Sequence, residues 1–179
     1  EEVIEALRSA LPRAELVPSD TGGLQGVVGI VQDTQASMAR KQTFLMRMAP
    51  KLQALTSANK KAQLWDEALT VAQDCGIPTN SLVVLAVLSS ISVPMGKSPA
   101  KRLLKPSASY SAEDAYNALA DLRSLEILMC LFALFPEQRI MLCTGDKNLA
   151  LFWAGIRASK FEWTGDAASF SLSPVESFL

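Results

Sequence analysis

Histidine is missing from the chain altogether. With it go the Ser-His-Asp and Cys-His nucleophile pairs, and zinc loses its usual nitrogen ligand. Catalysis in such a chain has to run on carboxylates, lysines, hydroxyls, or a hard cation such as Mg²⁺ or Mn²⁺ held by carboxylates. Cysteine is scarce: Cys75, Cys130 and Cys143 are odd in number and widely spaced. Two of them lie in apolar runs, where a free Cys packs as a small hydrophobe, so neither a disulfide framework nor a zinc site is expected. Long apolar runs are absent as well. The longest, Ser81 to Val93, falls short of the roughly 18 to 20 uncharged residues that a spanning helix needs. The opening Glu1-Glu2-Val3-Ile4-Glu5 has neither the basic start nor the apolar centre of a signal peptide, so a cytoplasmic chain with no membrane partner is expected. Charge of one sign is lacking too, with 17 Lys and Arg against 18 Asp and Glu. Contact with RNA would therefore need a local basic patch.

What is present favours folding. Hydrophobic residues make up 49% of the chain and charged residues 20%, far from the composition of disorder. A length of 179 residues suits one well-buried core, so residues 1–179 are expected to form a single domain. The sequence opens inside a helical pattern without an initiator Met, and an element upstream, a strand in particular, is left open.

Periodicity divides the chain. Val3, Ile4, Leu7 and Leu11 predict a helix closed by Pro12, and Ala14 to Pro18 a brief strand. Ser19 to Gly23 signals a loop, and the Gly-rich run Leu24 to Ile30 reads as a flexible turn. It is no phosphate loop, because no Lys-Ser/Thr comes after it. Val31 to Cys75 is helical with a break at Pro50, and it carries Arg40, Lys41, Arg47, Lys51, Lys60 and Lys61. These cations make either a solvated face or a nucleic-acid surface. Gly76 to Asn80 is punctuation, with Thr79 or Asn80 as the N-cap of an apolar helix over Leu82 to Leu88. Pro94 to Pro106, with Lys97, Lys101, Arg102 and Lys105, reads as an exposed connection. Ser111 caps a helix running to Phe135 and stopped by Pro136. Arg139 to Thr144 has the look of a buried strand, Lys147 to Ala158 of a helix, and Phe161 to Trp163 and Phe170 to Leu172 of short terminal strands.

The chemistry-bearing residues gather late in the chain. An apolar strand ending in Thr144-Gly145-Asp146 and turning straight into a helix places a carboxylate at the C-terminal edge of a sheet, where open α/β folds build their sites. On the preceding helix, offsets of three, four and seven align Asp114, Asn117 and Asp121 on one stripe, bordered by Glu113. An acidic residue on a helix (Asp121), an apolar helix body (Leu125 to Phe135), a hydrophobic strand (Ile140 to Cys143), and then Thr144-Gly145-Asp146-Lys147-Asn148-Leu149 together resemble PIN-domain nucleases. The resemblance covers residues 110–179.

That resemblance implies an α/β fold, a three-layer sandwich with a central mostly parallel sheet and additional helices. It also implies a divalent-metal-dependent endoribonuclease with Asp114, Asp121 and Asp146 as metal ligands for Mg²⁺ or Mn²⁺. Asp121, Asp146 and Thr144 would form the catalytic group, and Lys147 and Asn148 would contact phosphate or RNA. Carboxylates that converge repel one another unless a cation neutralises them, and such a cation polarises a phosphodiester and acidifies bound water. The chain departs from the family pattern at its start, where no apolar strand bearing Asp is found. The rest of the site would lie upstream of Glu1 or come from Asp20, Asp33 or Asp66. Asp146 also has a purely structural role open to it, as the N-cap of the next helix, worth roughly 1 kcal/mol. With that role, the chain would be a non-catalytic helical domain that binds a protein partner.

Overall fold

The computed structural model describes residue 9 and residues 23–53, 57–93, 98–164 and 168–175. The expected helix over Glu1 to Leu11, the strand over Ala14 to Pro18, and the residues Asp20 and Lys97 lie outside the described residues. Two compact units divide the chain, Glu1–Ala36 and Ser37–Leu179. The first contributes the opening part of helix α1 (Gly23–Met48), so the Gly-rich run expected to be a flexible turn is helical. All the later elements belong to the second unit.

Helix α1 stops where Pro50 removes a donor and its ring blocks the next turn. A single 3-10 turn, Ala49–Leu52, replaces it. Beyond it come α2 (Ala58–Asp74), α3 (Leu82–Ser92), α4 (Pro99–Leu104), α5 (Ala112–Leu134) and α6 (Lys147–Ile156). Helix α3 is apolar on every side, and nearly all of its residues are buried. A helix of that composition has no face to offer water and must be wrapped. α2, α4, α5 and the 3-10 turn pack around it. Ser81 holds its N-cap position, one or two residues after the expected Thr79 or Asn80, without a side-chain capping bond.

Helix α4 corrects the expectation of an exposed connection over Pro94 to Pro106. Ser98 caps it through a bond from the Lys101 amide (3.1 Å), Pro99 opens it, and Ala100, Leu103 and Leu104 enter the core. Proline is at home in a first turn, where its missing N–H would have no partner anyway. The signals that looked like loop punctuation were those of a helix start.

The main correction is to fold class. Among the described residues the only sheet is a two-stranded antiparallel hairpin of β1 (Ser159–Trp163) and β2 (Ala168–Ser171), and the domain is mostly helical. A central, mostly parallel sheet is absent from these residues, and so is the three-layer sandwich. The hairpin packs on α5, where Phe132 meets Phe161 at a tilt (ring centroids 5.0 Å apart) and stacks on Trp153 of α6 (6.1 Å). Arg139 to Thr144, expected to be a buried strand, forms no strand. Met141 to Cys143 make no backbone–backbone hydrogen bond among the described residues, and Met141 is 81% exposed. Apolar residues favour a strand only where a neighbour pairs their amides and carbonyls. No such neighbour lies beside this run among the described residues.

Phe152 of α6 is fully buried in the same core as Leu119, Leu122 and Leu125 of α5. Phe152→Ala should lower stability in urea unfolding by about 3–5 kcal/mol, the cost of the lost aromatic plus the cavity it leaves.

Candidate functional site

Helix α5 begins with a capping box. The Ser111 hydroxyl accepts from the Asp114 amide (3.1 Å), while the Asp114 carboxylate accepts from the Ser111 amide (2.8 Å) and hydroxyl (2.7 Å). These bonds to the charged form, with Lys105 nearby, hold the Asp114 carboxyl below the usual carboxylate value. Asp114 is thus engaged at the helix start. Asp121 lies seven residues on, about 10 Å along the axis at 1.5 Å per residue. That spacing is too long for one ion to be shared by both, and the structure does not bring Asp114 into a common group with the other two acids. Among the described residues no three His, Cys, Asp or Glu side chains converge as a metal-binding group.

Asp121 lies within electrostatic reach of Asp146. α5 and α6 pack side by side. The half-buried Asp121 carboxyl is pushed above the usual carboxylate value, first by burial and then by the Asp146 charge, against the opposing pull of Lys105. Lys105 sits at the end of α4 in the left-handed conformation (φ 48°). It acts on both Asp114 and Asp121. The sequence offered no signal for that placement beyond a basic loop.

Asp146 has the structural role that sequence allowed it. Its Oδ1 accepts from the amides of Asn148 (2.7 Å) and Leu149 (3.2 Å) and so caps α6. The Thr144 hydroxyl in turn accepts from the Asp146 amide (3.0 Å) and fixes the turn. Lys147 is exposed and Asn148 half-buried in the first turn of α6. Asp146 stands at a helix start that no strand precedes, which corrects its expected place at a sheet edge. Asp66 is exposed on α2 and is not among the charges acting on Asp121. The Asp33 side chain lies outside the described residues.

The basic run on α1 and α2 is largely occupied within the domain. Lys41 pairs with Glu126 at 2.5 Å, Arg47 with Asp74 at 3.2 Å, and Lys51 with Glu67, while Lys61 donates to the Ser92 carbonyl at 2.9 Å. Arg40 and Lys60 are exposed. No described helix is long and apolar enough to cross a membrane.

The donor set fits a hard cation in one specific sense. Mg²⁺ commonly uses one or two carboxylates and completes its shell with water and substrate phosphate. Asp121 and the free oxygen of Asp146 supply that minimum. A cation between them would relieve the repulsion that raises Asp121, and it would polarise a phosphate drawn towards Lys105 and Lys147. Compared with protein-family models, curated proteins and solved structures, the chain has no match.

Replacing the cap residue separates its structural role from its charge. Asp146→Ala should destabilise by roughly 0.5–2 kcal/mol through loss of the cap, whereas Asp146→Asn, an equally good cap that also relieves the charge on Asp121, should leave thermal stability at or slightly above the wild-type level. The pH dependence of Asp121 has the opposite sign to that of Asp114. Because the folded Asp121 carboxyl lies above its ordinary value, its favourable contribution is full below the unfolded pKa and is lost as pH rises through the folded one. Asp121→Asn should therefore gain stability over the wild type as pH rises through that window, read as the difference in urea midpoints. For Asp114, whose folded carboxyl lies lower, stability present above the unfolded pKa is lost as pH falls through the folded one.

Proposed function

We propose that the chain is a divalent-metal-dependent nuclease that hydrolyses phosphodiester bonds of RNA in the cytoplasm at the Asp121 and Asp146 pair. The single observation behind this reading is that Asp146 lies within electrostatic reach of Asp121 across α5 and α6, with Lys105 beside them. The resemblance of residues 110–179 to PIN-domain nucleases prompts it without supporting it, because the strand over Ile140 to Cys143 that formed part of that resemblance is absent among the described residues. Mg²⁺ or Mn²⁺ would lower the pKa of a bound water for attack on phosphorus. Asp121 and Asp146 would hold the ion, Thr144 would fix the Asp146 turn, and Lys105 and Lys147 would draw in the phosphate. Asp146 keeps one oxygen for its cap, so the other is available for the ion. The near balance of charges makes RNA binding local and strongly weakened by salt.

A second reading is a non-catalytic domain that binds a protein. It is favoured by the exposed apolar side chains Ile127, Leu134, Phe135 and Met141 at the end of α5 and in the loop after it.

The two separate in one set of measurements. Under the nuclease reading, Mn²⁺ raises the melting temperature of the wild type by mass action and supports cleavage of single-stranded RNA. Both effects vanish in Asp146→Asn, whose cap is intact, and cleavage falls to the EDTA background. Cleavage that survives EDTA and Asp146→Asn, or no cleavage with any divalent metal, sinks the nuclease reading.

A further inference from the structure

Helix α5 carries a second set of charges, turned away from Asp121. Arg123 and Glu126 lie one turn apart on it, and Lys41 reaches the same carboxylate from α1. Lys41 Nζ is 2.5 Å from Glu126 Oε1, and Arg123 Nη1 is 3.8 Å from Glu126 Oε2. Two cations thus share one acid, and one positive charge is left over. Cys130, a turn further along α5, does not balance it. Burial, and then Glu126, hold its thiol above the ordinary value and so keep it neutral, against the pull of Arg123.

The two cations are served unequally. Lys41, whose side chain is 12% exposed, makes a direct hydrogen bond to Glu126. Arg123 is 25% exposed, and at 3.8 Å its contact is an ion pair without a hydrogen bond. It makes no hydrogen bond to any described residue. A guanidinium largely withdrawn from water, with its fork of donors unfilled, lacks the acceptor that charged groups in such places are given. The fork can still be reached. Among the described residues the sealed-off polar atoms without a partner are the Ser81 and Ser89 hydroxyls, and no nitrogen of Arg123 is one of them.

The surroundings limit what fills the fork. The acceptor has to be negative to match the surplus charge, and it has to fit beside Glu126 without displacing it from Lys41. A tetrahedral phosphate meets both conditions: two of its oxygens take the planar fork of Arg123, and another turns to the remaining donors of Lys41. A flat carboxylate that fills the fork has no oxygen left for Lys41.

We propose that Arg123, with Lys41 beside it, binds the phosphate group of a ligand. Glu126 moderates the affinity, because its charge repels phosphate while it holds Lys41 in place. The site is separate from the Asp121 and Asp146 pair and uses no metal, so it stands or falls independently of the nuclease reading.

Isothermal titration of the whole chain with inorganic phosphate tests this, with EDTA present and ionic strength matched by chloride so that screening stays constant. Saturable binding is expected. Arg123→Met leaves the Lys41 and Glu126 pair intact, so the fold should hold while binding weakens by about tenfold or more. Glu126→Gln keeps an amide oxygen for Lys41 and removes the opposing charge, so binding should tighten severalfold. Arg139→Met, which alters an exposed arginine outside the cluster, should bind as the wild type does. Fluorescence anisotropy with single-stranded RNA, again in EDTA, names the source of the phosphate. An RNA affinity that falls in Arg123→Met assigns it to a nucleic-acid backbone, and one that does not confines the site to free phosphate. No saturable phosphate binding, equal binding by the wild type and Arg123→Met, or weaker binding by a folded Glu126→Gln overturns the proposal.

Discussion

Helix α3 has no polar face, and the second unit is arranged around that fact. Leu82, Val83, Val84 and Leu88 point in different directions from one helix, and each is buried. Burying an aliphatic side chain of this kind is worth about 1.5–3 kcal/mol relative to leaving it in water. A helix that must be buried all round can be satisfied only by neighbours on several sides. α2, α4, α5 and the 3-10 turn provide them. Two of its serines conform: Ser90 and Ser92 return their hydroxyls to the carbonyls of Ala86 (2.7 Å) and Leu88 (3.0 Å), while the buried Ser89 hydroxyl has no partner among the described residues. Once α4 and α5 are fixed against α3, Lys105 at the end of one and Asp121 on the other are fixed as well. α6, docked on both through Phe152, then brings Asp146 to them.

Asp146 answers two demands with one side chain. Its Oδ1 satisfies two amides that the start of α6 leaves without partners, and its charge falls on Asp121. A cap could have been supplied by Ser, Thr or Asn at little cost. A neutral cap would have spared Asp121 the repulsion. With aspartate there, the chain accepts a like-charge contact in a half-buried place, and such contacts are more frequent at functional sites than elsewhere, though ion-pair networks produce them too.

Local signals were legible where local physics decides. The capping box at Ser111 and Asp114, the stop of α5 before Pro136, the break at Pro50 and the start of α6 after Asp146 each depend on a few adjacent residues, and sequence located all of them. Asp121 was expected to face Asp146 across the edge of a parallel sheet; the sheet is absent among the described residues, and the Asp146 charge acts on Asp121 between two helices. What sequence misread depends on partners far along the chain. Pro99 and Ser98 look like loop residues until Leu103 and Leu104 find the core, and Ile140 to Cys143 look like a buried strand until a neighbour is sought. For Lys41, Arg47, Lys51 and Lys61 sequence left a solvated face and a nucleic-acid surface both open, because Glu126, Asp74, Glu67 and the Ser92 carbonyl could not be seen beside them.

Strand propensity and strand structure are separable, and the segment before Asp146 separates them. Helices close their backbone bonds within one stretch of chain, so α5 and α6 form whatever else is present. A strand instead defers half of its hydrogen bonding to another segment. β1 and β2 meet that need for each other across a short turn, with a bulge between Ser159 and Glu162 where Lys160 turns left-handed (φ 53°). Met141 to Cys143 have no such neighbour among the described residues, the Ile140 amide turns back to the Gln138 carbonyl (3.1 Å), and Leu142 packs against the core. Exposed amides hydrogen-bond to water without penalty, so the unit is stable in this form. The apolar surface of Met141, 81% exposed and close before the Thr144 to Asp146 turn, is what water does not satisfy.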